Sequence, residues 1–259
     1  MKKSTVIQKT LKNAIFMPLF ICVFTIIFSV NAMAASKTAS LTNNKWYTDN
    51  SRDYYQTVYH KIKVPKTGYL TVSGYSYSSY SNSKYSLSVR LCNSKKREMQ
   101  QANSLLLSSK GYKTYYAVKK GTYYIKVQSN KYKLKYSFKS MSDNGGSKAS
   151  KAKYISKNKT AKGLILAGEK SNKVDWYKIV LNKPQKIKFT YGARANDWVQ
   201  FKVSAADPRV SIYGASAYRV NNTQSFKTSS VFPAGTYYIQ VYRMSNSPNC
   251  MGYYTVKWN

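Results

Sequence analysis

The sequence predicts an all-β protein built as two tandem antiparallel β-sandwich domains, and three observations carry that reading. The phrase Gly-Thr-Tyr-Tyr-Ile occurs twice, at Gly121 to Ile125 and at Gly235 to Ile239. Apolar residues recur at every second position in the segments around both copies, which is the period of a strand with one face on a core. Helical signals are nearly absent. The stretch Ser94 to Leu107 holds Arg97, Glu98, Met99 and Gln100 but no sustained apolar stripe, and it supports one helical turn at most.

Residues 1–34 read as a signal peptide. Lys2, Lys3, Lys9 and Lys12 form a basic start, Ala14 to Val30 is apolar, and Ala32-Met33-Ala34 supplies small residues for cleavage after Ala34. Pro18, Thr25 and Ser29 interrupt the apolar run and no basic stop-transfer cluster follows, which argues against a retained anchor. The expected location is outside the cell, in the surroundings or at the cell surface.

Residues 35–141 form the first predicted sandwich. Val58 to Val72 aligns without gaps with Asp175 to Phe189, matching Lys61 to Lys178, Ile62 to Ile179, Val64 to Leu181 and Leu70 to Ile187. In the closing motif, parity places Tyr123, Ile125 and Val127 inward and Tyr124 and Lys126 outward. A last strand follows around Tyr136-Ser137-Phe138, and the final two strands of the repeat are expected to form a hairpin. Tyr69, Tyr75, Tyr77, Tyr80 and Tyr85 fall in a serine-rich region expected to include an exposed loop. Residues 142–147, Ser-Asp-Asn-Gly-Gly-Ser, read as a linker and hinge. Residues 148–259 form the second sandwich, where Tyr237, Ile239 and Val241 point inward and Tyr238, Gln240 and Tyr242 outward.

Charge and composition narrow the function. The formal net charge of +35 falls to +31 once the four leader lysines are removed, and lysine dominates over arginine. Such a field attracts polyanions without selecting among them. Only eight acidic residues are present, scattered from Asp49 to Asp207, so carboxylate metal sites are disfavoured. Cys92 and Cys250 lack zinc-ligand spacing and are expected as unpaired thiols, one in each repeat. No cofactor is expected.

The second repeat resembles the bacterial pre-peptidase C-terminal domain. The resemblance rests on Ser147-Lys148-Ala149-Ser150-Lys151-Ala152, Gly163-Leu164-Ile165, Asp175-Trp176-Tyr177-Lys178-Ile179 and Ala234-Gly235-Thr236-Tyr237-Tyr238-Ile239-Gln240-Val241, in that order and spacing. The first repeat is similar but more diverged: Val58 stands where the family has the aspartate of its aspartate-aromatic strand. The resemblance implies a jelly-roll-like sandwich, related to the collagen-binding modules of bacterial collagenases, that serves as a non-catalytic accessory module on secreted proteins. Calcium binding, seen in some relatives, does not carry over, because the acid-rich lead segment is replaced by the lysine-rich run Lys148 to Lys162.

An enzyme is not expected. The single histidine, His60, aligns with Tyr177 on the inward parity and reads as a half-buried structural residue, while Asp175 and Asp197 read as ladder and turn residues rather than a glycosidase pair. The candidate binding residues are the outward set Tyr59, Lys61, Lys63, Tyr124 and Lys126 in the first repeat and Trp176, Lys178, Tyr238 and Tyr242 in the second. If the two motif strands are neighbours, each domain presents an aromatic and basic face suited to an anionic cell-wall or matrix polymer. The alternative is an accessory or chaperone-like partner of a separate secreted enzyme such as a peptidase. Nucleic acid is disfavoured because no recognition motif is present, and membrane contact is expected to be peripheral at most.

Overall fold

The computed structural model describes residues 36–50, 56–78, 83–100, 103–108, 111–207, 211–217 and 220–259. The leader and Tyr80 lie outside them. The first half contains β1 (Lys37–Ser40), β2 (Tyr47–Asp49), β3 (Thr57–Val64), β4 (Gly68–Tyr77), β5 (Lys84–Tyr85), β6 (Ser88–Cys92), β7 (Asn103–Ser104), β8 (Leu106–Ser108), β9 (Gly111–Val118), β10 (Gly121–Gln128) and β11 (Tyr132–Ser140). The second contains β12 (Lys153–Tyr154), β13 (Thr160–Ile165), β14 (Val174–Leu181), β15 (Lys188–Ala195), β16 (Val199–Ser204), β17 (Ser211–Ala217), β18 (Val220–Lys227), β19 (Gly235–Arg243) and β20 (Gly252–Trp258).

The strands pair in the orders β1-β3-β10-β6-β7 and β2-β11-β4-β9-β8, with β5 beside β4, and then β12-β14-β19-β16-β17 and β13-β20-β15-β18. The second pair of sheets repeats the order of the first, without counterparts to β5 and β8. The register repeats too: Ile125 lies opposite His60 as Ile239 lies opposite Tyr177, and Gly121 opposite Val64 as Gly235 opposite Leu181. β3 and β14 carry the same burial pattern over all eight residues, so parity alone sorted their side chains into core and solvent. Among the named strands pairing is antiparallel except at two edges, where β1 and β12 run parallel to β3 and β14; an isolated parallel bridge joins Ala117 to Leu166.

Each pair of sheets closes on its own core. Ile62, Leu91 and Ile125 meet Leu70, Tyr116 and Leu134 in the first, all fully buried. Tyr177, Ile179 and Ile239 meet Phe189, Tyr254 and Trp258 in the second. Burying a side chain of this size contributes about 1.5–3 kcal/mol.

Two expectations need correction. The final two strands of each repeat do not form a hairpin: β10 and β11 lie in opposite sheets, as do β19 and β20. Both hydrogen-bonding edges of β10 are taken by β3 and β6, and those of β19 by β14 and β16, so the next strand must cross to the other layer. The helical turn expected within Ser94 to Leu107 does not form among the described residues, which instead hold β7, β8 and a bridge from Cys92 to Glu98. The described 3-10 turn is Ala149–Lys151. The segment 142–147 is not free. Gly146 exchanges backbone hydrogen bonds of 3.0 and 2.9 Å with Trp176, Asp143 accepts from the Leu164 amide at 3.2 Å, and a Cβ on Gly145 would overlap Asp175.

The two halves are also tied to each other. Met251, in the loop entering β20, is 1% exposed and packs within the first core. Asn196 Oδ1 accepts from the Met251 amide at 2.7 Å, Asn196 donates to Gln100, and Gln100 donates to the Tyr116 hydroxyl at 2.9 Å. Beside this polar chain, Ala117, Leu164 and Leu166 form a small apolar cluster flanked by Tyr69 and Tyr253, and the Ala167 amide donates to the Ala117 carbonyl at 2.8 Å.

Candidate functional site

The motif strands are neighbours in both halves. On the outer face of the first, Tyr124 lies opposite Lys61 and Lys126 opposite Tyr59 across the β3–β10 ladder, with Lys63 opposite Thr122 and exposed. Tyr59 and Tyr124 meet edge to face, with centroids 6.3 Å apart and ring planes at 89°. Lys96 Nζ lies 4.8 Å from the Tyr59 centroid and 5.7 Å from that of Tyr124, and donates to Thr38 Oγ1 at 2.8 Å. Sequence reasoning missed Lys96, because it comes from a turn between strands. It adopts a positive φ of 60° there, and Asn93 Oδ1 caps the turn by accepting from the Lys95 and Arg97 amides at 2.9 and 3.1 Å.

The five first-repeat residues therefore share one face, but their charges are not equivalent. Lys126 Nζ sits 2.8 Å from Glu98 Oε1, and Arg90 reaches the same carboxylate at 3.3 Å. Glu98 thus sets part of the positive field of Lys126 and Arg90 against its own negative charge.

The second outer face is organised in the same way but divided. Lys178 lies opposite Tyr238 and Trp176 opposite Gln240, and the Trp176 and Tyr238 rings meet at 6.2 Å and 80°. Tyr242 lies further along β19, opposite Val174, where it helps line a separate shallow recess of about 480 Å³. Burial pushes its phenol pKa upward.

Each core hides a polar cluster. In the first, His60 Nε2 pairs with the Tyr132 hydroxyl at 2.7 Å, and Tyr132 donates to Asp49 at 3.5 Å; Tyr47 donates to the same carboxylate at 3.1 Å. His60 is fully buried, deeper than the half-burial expected of it. Burial lowers its pKa to about 4, against the upward pull of Asp49, so the ring is neutral at physiological pH. In the second, Tyr177 and Tyr254 hydroxyls pair at 2.9 Å and Tyr254 donates to Asp175 at 2.8 Å. Tyr132 and Tyr254 occupy equivalent places on β11 and β20, so the design is duplicated with its carboxylate moved: Val58 stands opposite Val127 where Asp175 stands opposite Val241, and Asp49 on β2 supplies the missing charge.

Asp175 is therefore more than a ladder residue. It is 3% exposed and faces Lys173 Nζ at 3.4 Å, and that ammonium also binds Asp143 at 2.7 Å and Glu169 at 3.0 Å. Burial would lower the Lys173 pKa, but the three carboxylates outweigh it and hold it above its ordinary value. Burial and then Asp143 raise the Asp175 carboxyl to about 6, against Lys173 and Tyr254. One cation shared among three acids favours its own charge while leaving the deepest acid under-compensated. Asp197 accepts from the Trp198 amide at 2.9 Å, as a turn residue does. Cys92 and Cys250 are both buried and form no disulfide, and burial raises the Cys92 thiol to about 11, away from reactive thiolate chemistry.

Among the described residues no helix is long and apolar enough to cross a membrane. No protein-family model matches the chain, and none of the curated proteins does. Among solved structures, the chain is similar to the pre-peptidase C-terminal domain of collagenase from Bacillus anthracis, at 19% identity and a TM-score of 0.32, over 42% of this chain and 94% of that one. It is also similar to the CUB1-EGF-CUB2 fragment of human MASP-1/3, at 8% identity and a TM-score of 0.25, over 83% and 99% of the two chains. A third similarity is to the isomalto-dextranase of Arthrobacter globiformis T6, at 9% identity and a TM-score of 0.23, over 82% of this chain and 33% of that one.

Proposed function

We propose that this is an exported, non-enzymatic binding protein whose outer sheet faces hold anionic polymers of the cell envelope or extracellular matrix. The observation that carries the reading is the Tyr59–Tyr124 pair with Lys61, Lys63 and Lys96 around it on one half-exposed face, repeated in smaller form by Trp176, Tyr238 and Lys178. Aromatic edges cover the apolar side of a polymer unit while the ammonium groups meet its charge. The acid and base candidates support the non-enzymatic reading: His60 is sealed in the core and Asp175 is bound to Lys173 and Tyr254.

The test is retention on immobilised polygalacturonate and polyphosphate at low salt. Exposed charge contacts contribute about 0.2–1 kcal/mol each, so replacing Lys61, Lys63 and Lys178 with glutamine lowers affinity roughly threefold to a hundredfold. Adding Lys126→Gln changes little more, because Glu98 already pairs with that ammonium. Retention that is unchanged, or that is insensitive to salt, overturns the proposal.

A further inference from the structure

A recess of about 450 Å³ lies where the outer faces of β4 and β11 meet those of β15 and β20, on different sheets from the aromatic faces above. Its volume falls in the range of about 300–1,000 Å³ usual for small-ligand sites. Lys139, Lys162 and Arg194 all line it, and among the described residues no acidic side chain does. The register explains the convergence: Lys139 lies opposite Tyr69 on the first half, while Arg194 lies opposite Tyr253 and Lys162 opposite Thr255 on the second.

One wall is built from packed rings and a guanidinium. Arg194 Nη1 donates to the Tyr253 hydroxyl at 2.5 Å, and its guanidinium carbon stands 5.6 Å from that ring's centroid. Tyr253 is packed by Tyr69 at 4.2 Å and, edge on, by Tyr115 at 6.3 Å. The rings of Tyr69 and Tyr253 close on each other and leave no slot between them for a flat base. The remaining polar lining is hydroxyl, from Ser140, Thr223 and Thr255.

We infer that this recess binds a single anionic sugar unit, a pyranose bearing a carboxylate or a phosphate. Three cations with no acid among the lining call for an anion. Hydroxyls beside tyrosine rings suit the alternating polar and C–H surfaces of a sugar ring better than a bare inorganic ion. The site needs both halves of the chain, so the junction that fastens the two sandwiches also completes it.

The inference is tested by calorimetric titration of the purified protein at low salt with D-glucuronate, D-glucose 6-phosphate, D-glucose and inorganic phosphate. At least one anionic sugar is expected to bind tenfold or more tightly than glucose and inorganic phosphate, and the preferred one tells carboxylated from phosphorylated polymers. Lys139→Gln with Lys162→Gln, both exposed side chains, is expected to weaken that binding at least tenfold, while Lys61→Gln with Lys63→Gln leaves it unchanged. Amide shifts in the unmodified protein should centre on Thr223, Tyr253 and Thr255, which keeps the test independent of any variant's folding. Equal affinity for glucose, inorganic phosphate and the anionic sugars, or equal losses from the two lysine pairs, would refute the site. Loss of polymer retention in the Lys61/Lys63 variant with sugar binding intact would separate this site from the outer faces.

Discussion

Lys173→Met tests whether the second sandwich depends on one cation to hold three carboxylates together. Its ammonium lies 2.7 Å from Asp143, 3.0 Å from Glu169 and 3.4 Å from Asp175. Removing one partner of a buried ion pair costs about 3–5 kcal/mol. Lys173 keeps 29% of its side chain exposed, so water screens part of that loss and about 2–3 kcal/mol is the working figure. For a folded body of this size, the loss corresponds to a fall in Tm of roughly 4–12 °C.

The pH dependence makes the test specific. Asp175 in the folded protein sits at about 6 against an ordinary 3.8, so the folded state holds this proton more tightly than the unfolded chain. Its contribution to stability is complete below about pH 4 and is lost as pH rises through about 6. Without the ammonium the carboxyl rises further, and the gap between variant and native protein must narrow as pH drops from 7.5 to 5. Urea unfolding at both pH values measures it, with Lys173→Met/Asp175→Asn recovering most of the loss. A gap that is the same at both pH values, or a double variant as unstable as the single one, would show that the acids are not coupled through Lys173.

Two further outcomes follow from the cores. His60 has its pKa lowered to about 4, so it contributes stability that is full above about pH 6.5 and lost as pH falls through about 4. His60→Gln should flatten that acid limb, read as the variant-minus-native difference because Asp175 changes in the opposite sense over the same interval. Met251→Ala should cost about 2–5 kcal/mol and, although the residue belongs to the second half, should raise hydrogen exchange in β10 and β11 of the first; exchange that changes only in β20 would mean the two cores are uncoupled.

Strand content, the duplication and the facing of most motif residues were legible in the sequence; Gln240, expected to face outward, is 8% exposed and buried. They depend on a period of two and on a repeated phrase, both local properties. The match of Val58–Val72 to Asp175–Phe189 holds through β3 and β14, and Leu70 and Ile187 are both fully buried in their cores. The pairing of Tyr59 with Lys126 and of Lys178 with Tyr238 needed only the added fact that the motif strands are neighbours. Lys96 and Glu98 were not legible, because a turn carries no periodicity that aims its side chains at a distant face.

The amino-acid order by itself determined that this chain would fold as strands, and which side of the motif strands β3 and β14 would be buried. Tertiary structure decided what no single strand encodes. It moved the last strand of each repeat into the opposite sheet because the edges beside it were already filled. It supplied Asp49 in place of the aspartate lost at Val58, and it seated Met251 in the other half's core. It also brought Lys139, Lys162 and Arg194 to one recess from segments far apart in the chain. Alternation is a property of neighbouring residues, whereas edge occupancy, borrowed charge and a shared recess exist only once distant segments meet.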